Sequence, residues 1–346
     1  MKALVFHEPQ RIAVEELPDP APGPGEVLLR VGATGLCYSD IRVYLGQKHA
    51  APGVVPGHEI AGVVAELGDG VTSVREGDRV VVCPIVSCGR CYFCLAGARH
   101  RCVQRRTLGY DANGGAAERL LVPAPIVSMG HLIPIPDGLS MRRAAITEPL
   151  ACVLNSLETC AIAAGSSLLI VGTGPMGLFH TALARHLGAG TIIVSDPDAS
   201  RREAALRFGA TAAFDPTQDD VREAVLSHTR GLGADAVVMA TGRPETLDLC
   251  LASVRPQGIV NLFAGFPPKS SIPFDPNSVH YAEIRLTGSQ NASPGQYRRV
   301  LELLPHLSQI DDITTHHFPL ARATEAYDVR LRNEGLKSMV LVDEAG

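Results

Sequence analysis

The pattern of apolar and polar positions changes once along the chain. From Met1 to about Ala145, short apolar runs such as Glu26-Val27-Leu28-Leu29-Arg30-Val31 and Asp78-Arg79-Val80-Val81-Val82 stand between stretches rich in Gly and Pro. Runs of that length, closed by turn formers and with little 3.6-residue periodicity, predict short strands and an all-β domain. After Glu148-Pro149-Leu150 the runs alternate with helical periods. Ser167-Leu168-Leu169-Ile170-Val171 is continuously apolar, as expected of a parallel strand covered on both faces. A helix over 175–187, a strand over 191–194, a helix over 200–208 and strands over 234–239, 258–263 and 283–287 follow. Repeated βα units predict an α/β fold with a doubly wound parallel sheet. The last 55 residues or so mix helix and strand, end on Ser338-Met339-Val340-Leu341-Val342, and are expected to rejoin the first domain. The predicted domains are therefore 1–150 together with 289–346, and 151–288.

Composition narrows the function. A chain of 346 residues has room for two domains and more than one core. Trp is absent, the net charge is -5, and Lys and Arg are scattered, which argues against nucleic acid or an anionic lipid surface as partner. No apolar run is long enough for a membrane span, and the opening Met1–Glu8 reads as a strand rather than a signal peptide. Nine cysteines at uneven spacing then predict reduced, metal-binding thiols in a cytoplasmic protein.

Gly172-Thr173-Gly174-Pro175-Met176-Gly177 fits the G-x-G-x-x-G pattern, which is weak alone in a chain with 34 glycines. Here it follows a predicted strand, opens a predicted helix and precedes Asp196 at the end of the next strand. The glycines allow a tight turn, close approach of a pyrophosphate and helix–strand packing, and the helix N-terminus offers free N–H groups to phosphate. Asp196 is suited to the ribose hydroxyls and would repel a 2′-phosphate, favouring NAD over NADP. Arg201 and Arg202 could reach such a phosphate, but exposed residues of a first helical turn are the default reading, with Arg201 still able to flank the adenine ribose.

Cys88-x2-Cys91-x2-Cys94-x7-Cys102 places four thiols within fifteen residues. Four thiolates suit tetrahedral zinc and leave no position for substrate, so the expectation is a structural site. Cys83, Cys152, Cys160 and Cys250 fall outside that spacing and read as small core residues.

Other residues resemble a known family. Gly57-His58-Glu59-Ile60-Ala61-Gly62, with Gly68 and Val71, resembles the zinc signature of the medium-chain dehydrogenase/reductase family. Cys37-Tyr38-Ser39-Asp40 resembles its first zinc-ligand motif, and Glu148-Pro149-Leu150 the E-P-L segment of its sorbitol- and threonine-dehydrogenase branch. The resemblance covers essentially the whole chain. It implies a GroES-like β-rich catalytic domain beside a Rossmann coenzyme domain, NAD, and one catalytic plus one structural zinc per chain. It also implies a homo-oligomer, dimer or tetramer, acting on a secondary hydroxyl of a polyol, cyclitol, sugar or amino-alcohol. Cys37 and His58 are implied as catalytic ligands. Either Glu59 or Glu148 completes the set, the two exchanging or Glu59 serving only to orient His58. Ser39 is implied as the start of the proton relay. Two alternatives stay open: an NADPH-dependent carbonyl reductase, and a non-catalytic nucleotide-binding protein.

The chain departs from the family at two positions. Five residues after Cys37, where many relatives carry a relay histidine, stands Arg42, which cannot give up a proton. The relay must then end elsewhere, at water, the ribose or His49, and Arg42 is expected to position a substrate or coenzyme oxygen or to lie exposed. Tyr38 stands where the polyol branch commonly has Gly.

Overall fold

The computed structural model describes residues 1–343. The chain forms two compact units, the first of Met1–Ala151, Ala292–His306 and the segment from Thr314 on, the second of Cys152–Asn291 and Leu307–Ile313.

The first unit is built on a mixed sheet. Its strand order is Thr314–Pro319, Lys337–Leu341, Val27–Gly35, Glu59–Leu67, Arg79–Val82 and Leu132–Pro134, with Arg119–Val122 also paired to Val27–Gly35. Strand Val27–Gly35 shows why a nine-residue run can be central: eight of its nine side-chain positions are buried, and only Arg30 reaches solvent. Its register sets the later chemistry. Gly35 pairs with Glu59 on one side and with Met339 on the other, so the C-terminal strand and the Glu59 strand end beside each other. The apolar face carries Val27, Leu29, Val31, Ile60, Val64, Val80 and Val82 in one cluster. Burying such a side chain contributes roughly 1.5–3 kcal/mol.

The expectation of an all-β first domain needs correction. Short helices occupy Tyr38–Tyr44, Tyr92–Leu95, Ala124–Ser128 and Met141–Ala145. Four to seven residues are too few to establish a 3.6-residue period, and tertiary packing holds such helices rather than propensity. Helix Thr147–Thr159 begins where the apolar pattern changes, and Pro149 in its first turn is tolerated because that turn's N–H groups have no partner within the helix.

The second unit is the predicted doubly wound sheet. Its six parallel strands run in the order Ala212–Phe214, Thr191–Ser195, Ser167–Val171, Ala234–Met239, Val254–Leu262 and Arg285–Gly288. Numbered along the chain this is 3-2-1-4-5-6, and the order reverses beside Ser167–Val171, the place where open α/β sheets bind ligands. The strand Ala212–Phe214 and the helices Val221–His228 and Leu247–Ser253 were not expected. The strand is three half-buried residues long, below what alternation can reveal.

Candidate active site

In the first unit the chain brings three remote donors together. Cys37 caps the helix Tyr38–Tyr44. His58 and Glu59 enter the strand Glu59–Leu67, with 5% and 1% exposure. The Cys37 thiol, one His58 nitrogen and one Glu59 carboxylate oxygen lie within 4.8 Å of one another. A thiolate, an imidazole and a carboxylate at that spacing fit a catalytic zinc, which takes three protein donors and keeps one position open. Glu148, in the first turn of helix Thr147–Thr159, is not one of the three, although its charge acts on Cys83 and Tyr110.

Local geometry explains why these side chains converge. A Cβ on Gly35 would lie 1.8 Å from Glu59 Oε2, so the strand opposite is glycine where the carboxylate needs room. Lys337 then meets that carboxylate at 2.7 Å and donates a second hydrogen bond to the Leu36 carbonyl at 3.2 Å. Asp40 Oδ2 accepts from the Cys37 N–H at 2.9 Å, and Asp40 Oδ1 lies 3.3 Å from His58 Nδ1. Burial opposes the Asp40 charge, but the His58 cation outweighs it and holds the carboxyl below its usual range. Burial likewise opposes a charged His58, and the Asp40 carboxylate carries the imidazole well above its usual value.

Ser39 Oγ donates to Cys37 Sγ at 3.1 Å and lies 2.6 Å from the Tyr110 hydroxyl, which lies 3.1 Å from His58 Nδ1. Burial, reinforced by the Asp40 and Cys37 charges, keeps the Tyr110 phenol protonated. Lys48 Nζ sits 3.5 Å from the centroid of the Tyr110 ring. Arg42, in the last turn of helix Tyr38–Tyr44, is half-buried rather than exposed, and its charge acts on Lys48. His49 and Tyr38 are exposed. Lys48, Tyr110 and Lys337 carried no signal in the sequence: their partners lie up to 301 residues away.

Cys88, Cys91, Cys94 and Cys102 also bring their sulfurs within 4.8 Å of one another. Backbone N–H groups of Val103 and Cys94 aim at Cys91 Sγ and bring that thiol down to about 6, while Cys88 and Gln104 N–H donate to Cys102 Sγ at 3.2 and 3.3 Å. A loop that presents N–H groups to sulfur is preorganised for thiolates, and four thiolates fit a closed structural zinc. Within the lobe Cys94 is instead pushed up to about 11 by burial, and the thiols outside the lobe are raised as well. Burial pushes Cys83, Cys160 and Cys250 up to about 12, which makes them inert core thiols.

In the second unit the glycine-rich turn joins strand Ser167–Val171 to helix Pro175–His186. Its glycines have distinct reasons. A Cβ on Gly177 would meet the Gly172 carbonyl oxygen at 2.0 Å, so helix packing on the strand requires glycine there. A Cβ on Gly174 would meet nothing within 4 Å, so no protein contact requires that glycine, and open space is what a pyrophosphate needs. Pro175 and Met176 form the first helical turn, and the buried Thr173 Oγ1 has no partner. Asp196 is 4% exposed and accepts one backbone N–H on each oxygen, from Thr173 at 2.7 Å and Asp198 at 3.0 Å, leaving lone pairs for hydroxyl donors. These features fit a nicotinamide dinucleotide. The paired arginines are half-buried rather than exposed. Arg202 turns back to donate to the Asp196 carbonyl at 2.7 Å and pairs with Asp215 at 3.1 Å, whereas Arg201 lies 3.9 Å from Asp198.

The chain matches two known domain families: the alcohol dehydrogenase GroES-like domain over residues 23–137 and the zinc-binding dehydrogenase domain over residues 175–306. It is 38% identical to the L-threonine 3-dehydrogenase of Pyrococcus furiosus, covering 83% of this chain and 82% of that protein. It is 33% identical to the sorbitol dehydrogenase of Halalkalibacterium halodurans, covering 98% and 99%. A crystal structure of a zinc-binding dehydrogenase from Sinorhizobium meliloti, bound to NADP, superposes with a TM-score of 0.91 at 32% identity over 99% of both chains. The chain belongs to the zinc-containing medium-chain dehydrogenase/reductase family and is a nicotinamide-linked alcohol dehydrogenase.

Proposed function

We propose that the protein oxidises a secondary hydroxyl of a polyol, cyclitol, sugar or amino-alcohol, with NAD as hydride acceptor and two zinc ions per chain. The observation that carries this reading is the convergence of Cys37, His58 and Glu59 beside Ser39. Zinc in that set supplies a Lewis acid that lowers the pKa of an alcohol hydroxyl, and the nicotinamide supplies the hydride acceptor. The protein's own residues do the remaining work. Cys37, His58 and Glu59 hold and orient the cation, with Glu148 as the second carboxylate of the site. Ser39 accepts the hydrogen bond of the substrate hydroxyl and stands at the start of the path by which its proton leaves to water. Gly172, Gly174, Pro175, Met176 and Gly177 cradle the pyrophosphate, with Asp196 and Arg201 at the adenine ribose. The named activities of the sorbitol and L-threonine dehydrogenases support the substrate class. We read the working form as a cytoplasmic homodimer or homotetramer. Two observations support this: no disulfide joins the nine cysteines, and strand Arg285–Gly288 stands at the edge of its sheet.

A coenzyme-reduction screen over polyols, cyclitols, sugars and β-hydroxy amino acids, run with NAD and with NADP beside elemental analysis, tests the reading. Turnover with NAD at two zinc ions per chain is expected. No turnover by zinc-loaded protein over the whole panel would favour a nucleotide-binding role instead.

The coenzyme preference has its own test. Removing the Asp196 carboxylate by Asp196→Ala deletes an acceptor for the ribose hydroxyls and the repulsion of a 2′-phosphate. The KM for NAD should rise about tenfold, roughly 1.4 kcal/mol of lost binding, and the gap to NADP should narrow. The dehydrogenase bound to NADP makes the opposite preference a specific alternative. A wild-type protein that prefers NADP would assign the site to Arg201 and sink the NAD reading.

A further inference from the structure

We propose that Tyr110 is a positioning residue of the Cys37–His58–Glu59 site, whose hydroxyl orients the His58 ring and sets Ser39 to act as a hydrogen-bond acceptor. The metal arm of this inference stands on the donor geometry alone; its kinetic arm rests on the proposed alcohol oxidation.

Three contacts form one chain: His58 Nδ1 to Tyr110 OH at 3.1 Å, Tyr110 OH to Ser39 Oγ at 2.6 Å, and Ser39 Oγ to Cys37 Sγ at 3.1 Å. Counting hydrogens fixes its direction. The single hydroxyl hydrogen of Ser39 goes to Cys37 Sγ, so Ser39 accepts from Tyr110. The single hydrogen of Tyr110 is then used, so Tyr110 accepts from the Nδ1–H of His58. A hydrogen held on Nδ1 leaves Nε2 as the nitrogen for a cation. Ser39 Oγ keeps one lone pair, which suits it to accept a hydrogen bond from a substrate hydroxyl. Asp40 Oδ1 is 3.3 Å from the same His58 nitrogen and supplies charge, but a carboxylate has no hydrogen to give Ser39 and cannot close this chain.

The rest of the fold holds Tyr110 still. The loop that carries it is bonded to the backbone just before His58 by Gly114 N–H to Val55 O at 2.7 Å, Gly115 N–H to Gly57 O at 2.9 Å and Ala116 N–H to Pro56 O at 2.9 Å. A Cβ on Gly114 would lie 2.0 Å from the Gly57 oxygen, so this approach requires glycine. The Tyr110 ring is 7% exposed, packs with Phe6, Val43, Ala50 and Val54, and lies between the His58 ring at 5.1 Å and the Lys48 ammonium. The hydroxyl therefore has one position available, between the two groups it joins.

Tyr110→Phe keeps the ring, its packing and the Lys48 contact, and removes only the hydroxyl. Three measurements follow: zinc release to a graded series of chelators, the visible absorption spectrum after replacing zinc with Co2+, and kcat with KM on the best alcohol of the screen. Metal affinity at the Cys37 site should weaken about 10–100-fold, the range for lost partners of metal-bound histidine. The Co2+ bands should shift, and kcat should fall about tenfold with KM little changed. Zinc retention at the four-cysteine site and the thermal midpoint should match wild type. Ser39→Ala should lower kcat while leaving metal affinity in place, because the Tyr110–His58 bond survives. Metal affinity of Tyr110→Phe within twofold of wild type, or equal loosening of both zinc sites, overturns the proposal. So does an equal loss of metal in Ser39→Ala, which would route the hold through Cys37. A wild type inactive on every alcohol sinks the functional reading and leaves the metal measurements to decide this one.

Discussion

Replacing Lys337 by Met should destabilise the metal-free protein by about 3–5 kcal/mol, the usual result of leaving one partner of a buried ion pair alone. Lys337 is 4% exposed and Glu59 1%, and the two meet at 2.7 Å. Without the ammonium, Glu59 keeps a carboxylate in a place built to exclude water, and the Leu36 carbonyl loses its donor. For a unit of this size the thermal midpoint should drop by roughly 6–20 °C. Two features separate this cause from lost packing. Zinc loading should recover part of the loss, because a cation bound at Glu59 supplies the missing charge. The double variant Lys337→Met/Glu59→Gln should also be more stable than the single one, with a coupling of about 2 kcal/mol or more. A midpoint for Lys337→Met within 2 °C of wild type, measured after exhaustive chelation, would show that the pair carries no such weight.

This pair also marks the limit of what the chain reveals when read linearly. The doubly wound sheet was legible because each strand is a run of apolar residues and each helix spans several turns, so local period and global fold agree over Ser167–Val171, Pro175–His186 and Thr191–Ser195. The four-cysteine lobe was legible because its donors lie within fifteen residues, and the glycine-rich turn because its context repeats within one βαβ unit. Cys37, His58 and Glu59 were legible only through resemblance. Nothing local says that a cysteine and a histidine 21 positions apart share a cation. What surrounds them was not legible at all. Tyr110 and Lys337 reach the site through sheet register and loop packing, from 52 and 278 residues away, and neither residue type is unusual in its own segment.

The two carboxylates that the sequence left open stand in different surroundings. Glu59 belongs to a strand whose neighbour is glycine at the facing position, and a lysine of the adjacent strand end fixes its direction. Glu148 lies in the first turn of a helix and is half-buried.

Lowering the pH from 8 to 5 should destabilise the second unit by about 2 kcal/mol through its buried histidine, and the metal-free first unit by less, because His58, held protonated in the fold, works in the opposite direction. His180, in the second unit, is fully buried; burial brings it down to about 4, with Nδ1–H donating to the Met176 carbonyl at 2.7 Å and Nε2 accepting from Ser156 Oγ at 2.9 Å. His131, in the first unit, is also brought down to about 4 by burial, with Nδ1–H donating to the Ile85 carbonyl at 3.0 Å and Nε2 unpartnered. In the unfolded chain each returns to about 6.5. Between 6.5 and 4 the unfolded state therefore binds more protons than the folded state, and stability falls as pH falls through that window. Below about 4 both states are protonated and the loss levels off near 3 kcal/mol per histidine. Urea unfolding at intervals from pH 8 to 4.5 checks this, with His180→Gln and His131→Leu as controls. Each control should be less stable than wild type near pH 8, where its hydrogen bonds are lost, yet have a flatter dependence below pH 6.5. A wild-type curve flat from 8 to 5, or a slope left intact in both controls, would mean that water or rearrangement relieves the buried imidazoles.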